Sequence, residues 1–235
     1  MTTPARLHFE RKLAASATRH DGTQPDTNRA HANQYELMLA TLDEHRRRLK
    51  AVQSTERKIE VKRGLVPEYA AWCRGVMEGD AGVQDDVFMT VLLWQIDVGD
   101  FDAALPMAEY ALRHGLVMPD RFERTTACLV AEEIADTALK APAAALAAYL
   151  PALQQAQLIT AEHDMPDEVR AKLHKAIAYA LLAAPEDQQT LDTKNAAMTA
   201  LQSAVRLHDK VGVKKDIERL ERDIKNTAAG DPPAA

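Results

Sequence analysis

At 235 residues the chain is long enough for one large domain or two small ones. Aromatic residues make up 5 % and only 9 glycines occur, while alanine, leucine and charged residues dominate; with no run alternating polar and β-branched residues, this points away from a sheet protein. The formal charge of −6 hides a division: up to Val66 there are 13 Lys and Arg against 8 Asp and Glu, a net of +5, and from Pro67 onward 16 against 27, a net of −11.

Residues 1–32 combine a small apolar patch (Leu7, Phe9, Leu13) with the polar run RHDGTQPDTNRAHAN. This reads as a flexible basic arm with one short helix from Ala5 to Ala17, carrying Arg6, Arg11, Lys12 and Arg19 as a mobile DNA-binding set. No apolar core of a signal peptide opens the chain, and no apolar run approaches the roughly 20 residues of a membrane span.

Residues 33–64 read as a long basic helix, capped by Asn33 and stopped at Gly64 before Pro67. Every seventh residue from Tyr35 gives Tyr35, Leu42, Leu49, Glu56 and Arg63, with partner positions Met38, His45, Val52 and Ile59. This is a heptad seam with polar interruptions, so Tyr35, Met38, Leu42, Leu49, Val52 and Ile59 are the expected oligomerisation residues. The same segment carries Arg46, Arg47, Arg48, Lys50, Arg57, Lys58, Lys62 and Arg63. Such cations neutralise backbone phosphates and release counterions. With no aromatics interleaved, the pattern favours duplex backbone over stacked single strands. No helix-turn-helix is evident to read a sequence.

The body, 65–140, reads as shorter helices marked by Pro and Gly. Pro67 suits the first position of PEYAAWCRGVMEG, DDVFMTVLLWQIDVG is apolar enough to be central, Asp102 opens DAALPMAEYALRHG, and Asp120 caps RFERTTACLVAEEIADTALK. Trp94, Gly99, Asp100, Phe101, Ala104, Ala108, Ala111 and Leu112 resemble half of a tetratricopeptide repeat, although no 34-residue period runs on. An Ala-rich connector, 141–165, helical between its prolines, leads to C-terminal helices over 166–226 and a disordered tail, 227–235. The fold class is thus all-α: a long basic helix with a partial heptad pattern, then a helical-hairpin, tetratricopeptide-like bundle.

Catalytic and metal-binding residues are not identified. Cys73 and Cys128 lie far apart in apolar helical contexts, as reduced core thiols do. A nuclease needs a cage of carboxylates for Mg²⁺. The candidates Asp97, Asp100 and Asp102 sit at a helix end and turn, where aspartates cap, and Glu132, Glu133 and Asp136 lie on the exposed face of an amphipathic helix. No Gly-rich phosphate loop marks an ATPase. No cofactor is expected, except Mg²⁺ under the nuclease alternative.

Several blocks together resemble one family: PARLHFER, YELMLATLDEHRRRLKAVQSTERKIEVKR, LVPEY, GVQDDVFMTVLLWQIDVGDFDAAL, AEYALRHGLVMPDRFERTT, LVAEEIADTALK, DMPDEVRAKLHKA and VGVKKDIERLERDIK. They are similar to the small terminase subunit of temperate, cohesive-end tailed phages, a family often labelled the terminase endonuclease subunit. The resemblance implies DNA packaging in the host bacterial cytoplasm, with double-stranded phage DNA, a large terminase subunit carrying the ATPase motor, and further copies of the chain in a ring as partners. Cutting is expected in the large subunit or the complex. The alternatives are a metal-dependent endonuclease of the cohesive-end site and a helical scaffold that binds only protein.

Overall fold

The computed structural model describes residues 8, 11–12, 25–119, 124–185 and 188–230, with backbone alone at 25–33 and 228–230. Every regular element among them is helical, so the fold is all-α. The chain divides into two compact units, 1–126 and 127–235, a division that falls inside the stretch 65–140 expected as one core.

In the first unit α1 (Pro25–Ala51) and α2 (Thr55–Gly79) precede α3 (Asp86–Val98) and α4 (Phe101–Arg113). The continuous helix expected over 33–64 is therefore two helices. It starts eight residues early, at Pro25 inside the stretch expected as an arm, and breaks at Val52–Ser54. The break has a local cause: Ser54 takes an extended conformation (φ −65°, ψ 128°) and its hydroxyl accepts the amide of Arg57 at 3.3 Å, capping α2. Conversely, the stop expected at Gly64 is absent, and α2 runs through Gly64 and Pro67 to Gly79. A proline inside a helix costs about 3 kcal/mol. Here the pyrrolidine is exposed, and burial of Leu65, Val66, Tyr69, Trp72, Cys73 and Val76 on the neighbouring turns offsets that cost.

The apolar helix α3 is the centre of this unit, with Val87 through Ile96 buried, and it packs against α1, α2 and α4. Both its ends are fixed. The Asp85 carboxylate accepts the Phe88 amide at 2.8 Å, and Gly99 (φ 80°) turns the chain in the left-handed region at the other end. Asp100 then caps α4 through the amide of Ala103, so α3 and α4 form an αα-hairpin. The hairpin is the part of the tetratricopeptide likeness that is visible.

In the second unit, α5 covers Thr126–Lys140; the start expected at Asp120 falls outside the described residues, and Arg124 and Thr125 are not helical. Two short turns of helix follow, α6 (Ala143–Leu146) and a 3₁₀ turn (Ala147–Tyr149), and then α7 (Leu150–Ile159), with Pro142 and Pro151 at positions where a missing N–H costs nothing. α8 (Asp167–Leu182) and α9 (Leu191–Leu207) make the principal pair, and α10 (Lys214–Gly230) leans on α9. The Gln189 side-chain amide donates to the carbonyls of Leu181, Leu182 and Ala184, closing the frayed end of α8. Helix thus reaches four residues into the stretch expected as a disordered tail, whose last residues, 231–235, lie outside the described part.

Candidate nucleic-acid interface

The eight cations proposed from sequence are split by the fold into two kinds. Arg46 and Lys62 are used inside the first unit. The Arg46 guanidinium donates to Thr90 Oγ1 at 2.7 Å and to Asp43 Oδ1 at 3.1 Å, so its charge ties α1 to α3. Lys62 pairs with Asp97, joining α2 to the end of α3, and its side chain is only 18 % exposed. The other six lie near the α1–α2 elbow. Arg48 and Lys50 are exposed on the last turn of α1 and Arg47 just before it, Arg57 and Arg63 are exposed on α2, and Lys58 is half-buried there. Apart from a bond from Arg47 Nε to the carbonyl of Asp43, none of these side chains is paired among the described residues.

Beside the elbow an open cleft of about 430 Å³ is lined by Arg48, Arg57, Glu60, Val61, Gly64, Leu65 and Glu68. A Cβ built on Gly64 would meet no atom within 4 Å. The sequence reading does not single out Glu60 or Glu68, and it takes Gly64 only as a helix stop. Ser54 followed by acidic Glu56 in the next turn was the available signal that a new helix, and so an elbow, begins there.

The expected seam is largely spent within the unit. Leu42 and Leu49 are buried, and Tyr35 stacks on Trp72 with ring centroids 6.0 Å apart while its hydroxyl accepts the amide of Asp86 at 3.1 Å. Burial pushes the Tyr35 phenol up to about 12. At the neighbouring seam position, His45 Nδ1 lies 2.8 Å from the hydroxyl of Tyr69, itself fully buried and edge-on to Trp94. Met38, Val52 and Ile59 remain half-buried. A heptad pattern on α1 is thus accounted for by packing against its own chain as readily as against another.

Of the arm, Arg6 and Arg19 lie outside the described residues. Arg11 makes a two-pronged pair with Glu78 on α2, one bond being 2.7 Å from Nε, and this hydrogen-bonding holds the Glu78 carboxyl below the usual range. Lys12 is exposed.

Four of the six candidate carboxylates serve other purposes. Asp97 holds Lys62 and Asp100 caps α4. In the second unit, Glu132 and Asp136 share Lys172 at 3.1 and 2.9 Å. Among the described residues no group of three or more His, Cys, Asp or Glu converges to hold a metal ion. The buried thiol of Cys73 is pushed well up by desolvation, which leaves it protonated and unreactive. No helix among the described residues is long and apolar enough to cross a membrane.

Comparison with known proteins adds to this geometry. The chain is 41 % identical over 235 residues to the terminase, endonuclease subunit of Escherichia phage P2, covering 100 % of this chain and 91 % of that protein. It is 25 % identical over 222 residues to the probable terminase, endonuclease subunit of Haemophilus phage HP1 (strain HP1c1), covering 90 % of this chain and 79 % of that one. No solved structure matches it. The model of the phage small terminase subunit family matches residues 39–168, from the middle of α1 into α8 and so across the elbow and its cations. Taken with the full-length likeness to the phage P2 protein, this match establishes that the chain belongs to the phage small terminase subunit family.

Proposed function

We propose that this chain binds the packaging-site DNA of its phage as an oligomer, in the host bacterial cytoplasm, and delivers it to the large terminase subunit that carries the motor. Viral DNA packaging follows from the family. The observation that supports a direct part in DNA binding is the set of unpaired cations at the α1–α2 elbow. Arg47, Arg48 and Lys50 on one helix and Lys58 and Arg63 on the other make no ion pair among the described residues, which leaves their charges for an outside partner. Contacts of this kind seat a duplex by its phosphates and carry no base information. Arg46 and Lys62 leave this set because their charges are already paired.

Reversing Arg47, Arg48 and Lys50 to Glu is expected to weaken duplex binding and to flatten the dependence of log K on log salt by about 2 to 3, near 0.9 for each phosphate no longer neutralised. Unchanged binding and an unchanged slope would remove the elbow from the reading.

The printed names of the two relatives favour a second reading, cleavage of the cohesive-end site. Under it, the purified chain with Mg²⁺ nicks duplex DNA carrying that site, and alanine at Asp97, Asp100, Glu132 or Glu133 abolishes nicking. The structural employment of Asp97, Asp100 and Glu132 supports placing the cut in the assembled terminase instead.

A further inference from the structure

The cleft beside the elbow is poorly matched to DNA. Its rim holds two cations, Arg48 and Arg57, and two anions, Glu60 and Glu68, so a phosphate entering it meets as much repulsion as attraction. Arg57 and Glu68 have no ion-pair or side-chain hydrogen-bond partner among the described residues. Unpaired charges of both signs around a hollow call for a partner with the same mixture.

Arg57, Val61, Gly64 and Glu68 recur on α2 at steps of three and four, and at 3.6 residues per turn they fall within roughly 60° of one another. Glycine inside a helix costs up to about 1 kcal/mol relative to alanine. Nothing in the packing of the described residues requires it here, since an added Cβ at Gly64 meets none of their atoms outside its own stretch of helix. A helix-interior glycine at an empty hollow is accounted for by close approach of another backbone from outside.

We propose that the occupant is α2 of a second copy of this chain, crossing antiparallel over a two-fold axis placed between Val61 and Gly64. In that register, half-buried Val61 of each copy enters the hollow left by Gly64 of the other. Arg57 and Glu68 lie at equal distances along the helix from the axis, roughly 8 Å on either side, so each arginine meets the other copy's glutamate and the pair forms twice. The contact is self-complementary in shape and in charge. It closes at two copies, so a larger ring needs a second surface elsewhere on the chain. It also withdraws Arg57 from DNA and leaves Arg47, Arg48, Lys50, Lys58 and Arg63 for phosphates. This inference rests on the oligomeric part of the reading above and names its surface.

The test is a charge swap read by sedimentation of the full chain. Arg57→Glu sets Glu against Glu68, and Glu68→Arg sets Arg against Arg57; each is expected to raise the dissociation constant of the pair at least tenfold. The double variant R57E/E68R restores opposite charges and is expected to return to the wild-type constant. Gly64→Leu, which has room in the isolated chain, should keep the far-ultraviolet dichroism and lose association. If the wild type associates but the single reversals do not weaken it, or the double variant fails to recover, this surface is overturned while an oligomer through other contacts stands. A wild type that stays monomeric at every concentration overturns both.

Discussion

Asp85 shows how much one buried group decides in this fold. Its side chain accepts from the Trp72 indole and the Phe88 amide, both at 2.8 Å, and desolvation at 5 % exposure outweighs these donors and pushes its carboxyl up to about 6. A carboxyl whose folded-state pKa is raised binds protons more tightly in the native than in the unfolded chain. Stability from this group is therefore fully present below the ordinary value of 3.8 and is lost as pH rises to about 6, by roughly 3 kcal/mol. Urea titrations across pH 4 to 7 should show that decline in the wild type and a flatter profile in Asp85→Asn; equal profiles would mean the carboxyl is not strained by burial. Arg46 invites a second test. Because its guanidinium is hydrogen-bonded to Thr90 and largely covered, Arg46→Ala should cost about 1 to 3 kcal/mol in chemical denaturation. The same change at exposed Arg47 should fall within about 0.5 kcal/mol. From sequence the two neighbours in the run HRRRLK are indistinguishable; only the position of Thr90, 44 residues away, separates a structural charge from a surface one.

At the scale of the element, the decisive features are the break at Val52–Ser54 and the passage of α2 through Gly64 and Pro67. If Leu42 is core and not a zipper knob, Leu42→Ala should destabilise the chain by about 2 to 5 kcal/mol in calorimetry or urea. A small loss of stability with dissociation of the oligomer would instead return Leu42 to an intermolecular seam. Helical character, the apolar centre α3 and its caps at Asp85 and Gly99 could all be read from local patterns, because each depends on residues within one turn of the other. The stop expected at Gly64–Pro67 could not. Local penalties there were overridden by burial of Leu65, Val66, Tyr69 and Trp72, which depends on helices distant in sequence. The heptad on α1 does not by itself name its partner: a stripe at helical spacing records that a face is covered, and here Trp72, Asp86 and the surrounding helices of the same chain do much of the covering. The charge of the candidate interface was legible, its division into internal and exposed cations was not, and the grouping of Glu60, Gly64 and Glu68 around one cleft became visible only once α2 was seen as one helix.

For the whole molecule, membership in the phage small terminase subunit family places the chain in viral DNA packaging, and the elbow cations are the surface we propose for a duplex. On these proposals the near-neutral cleft beside them separates two tasks along one helix, phosphate contact by Lys58 and Arg63 and self-contact by Arg57 and Glu68. The separation makes the two defects distinguishable: R57E/E68R keeps the net charge and should bind DNA with the wild-type salt slope. The most direct test of the central claim is the salt dependence of binding to packaging-site duplex, measured for the wild type and for R47E/R48E/K50E at matched folding by circular dichroism. The expected result is a steep wild-type slope that flattens by about 2 to 3 in the variant; equal slopes and equal affinities would contradict the assignment of DNA binding to the elbow.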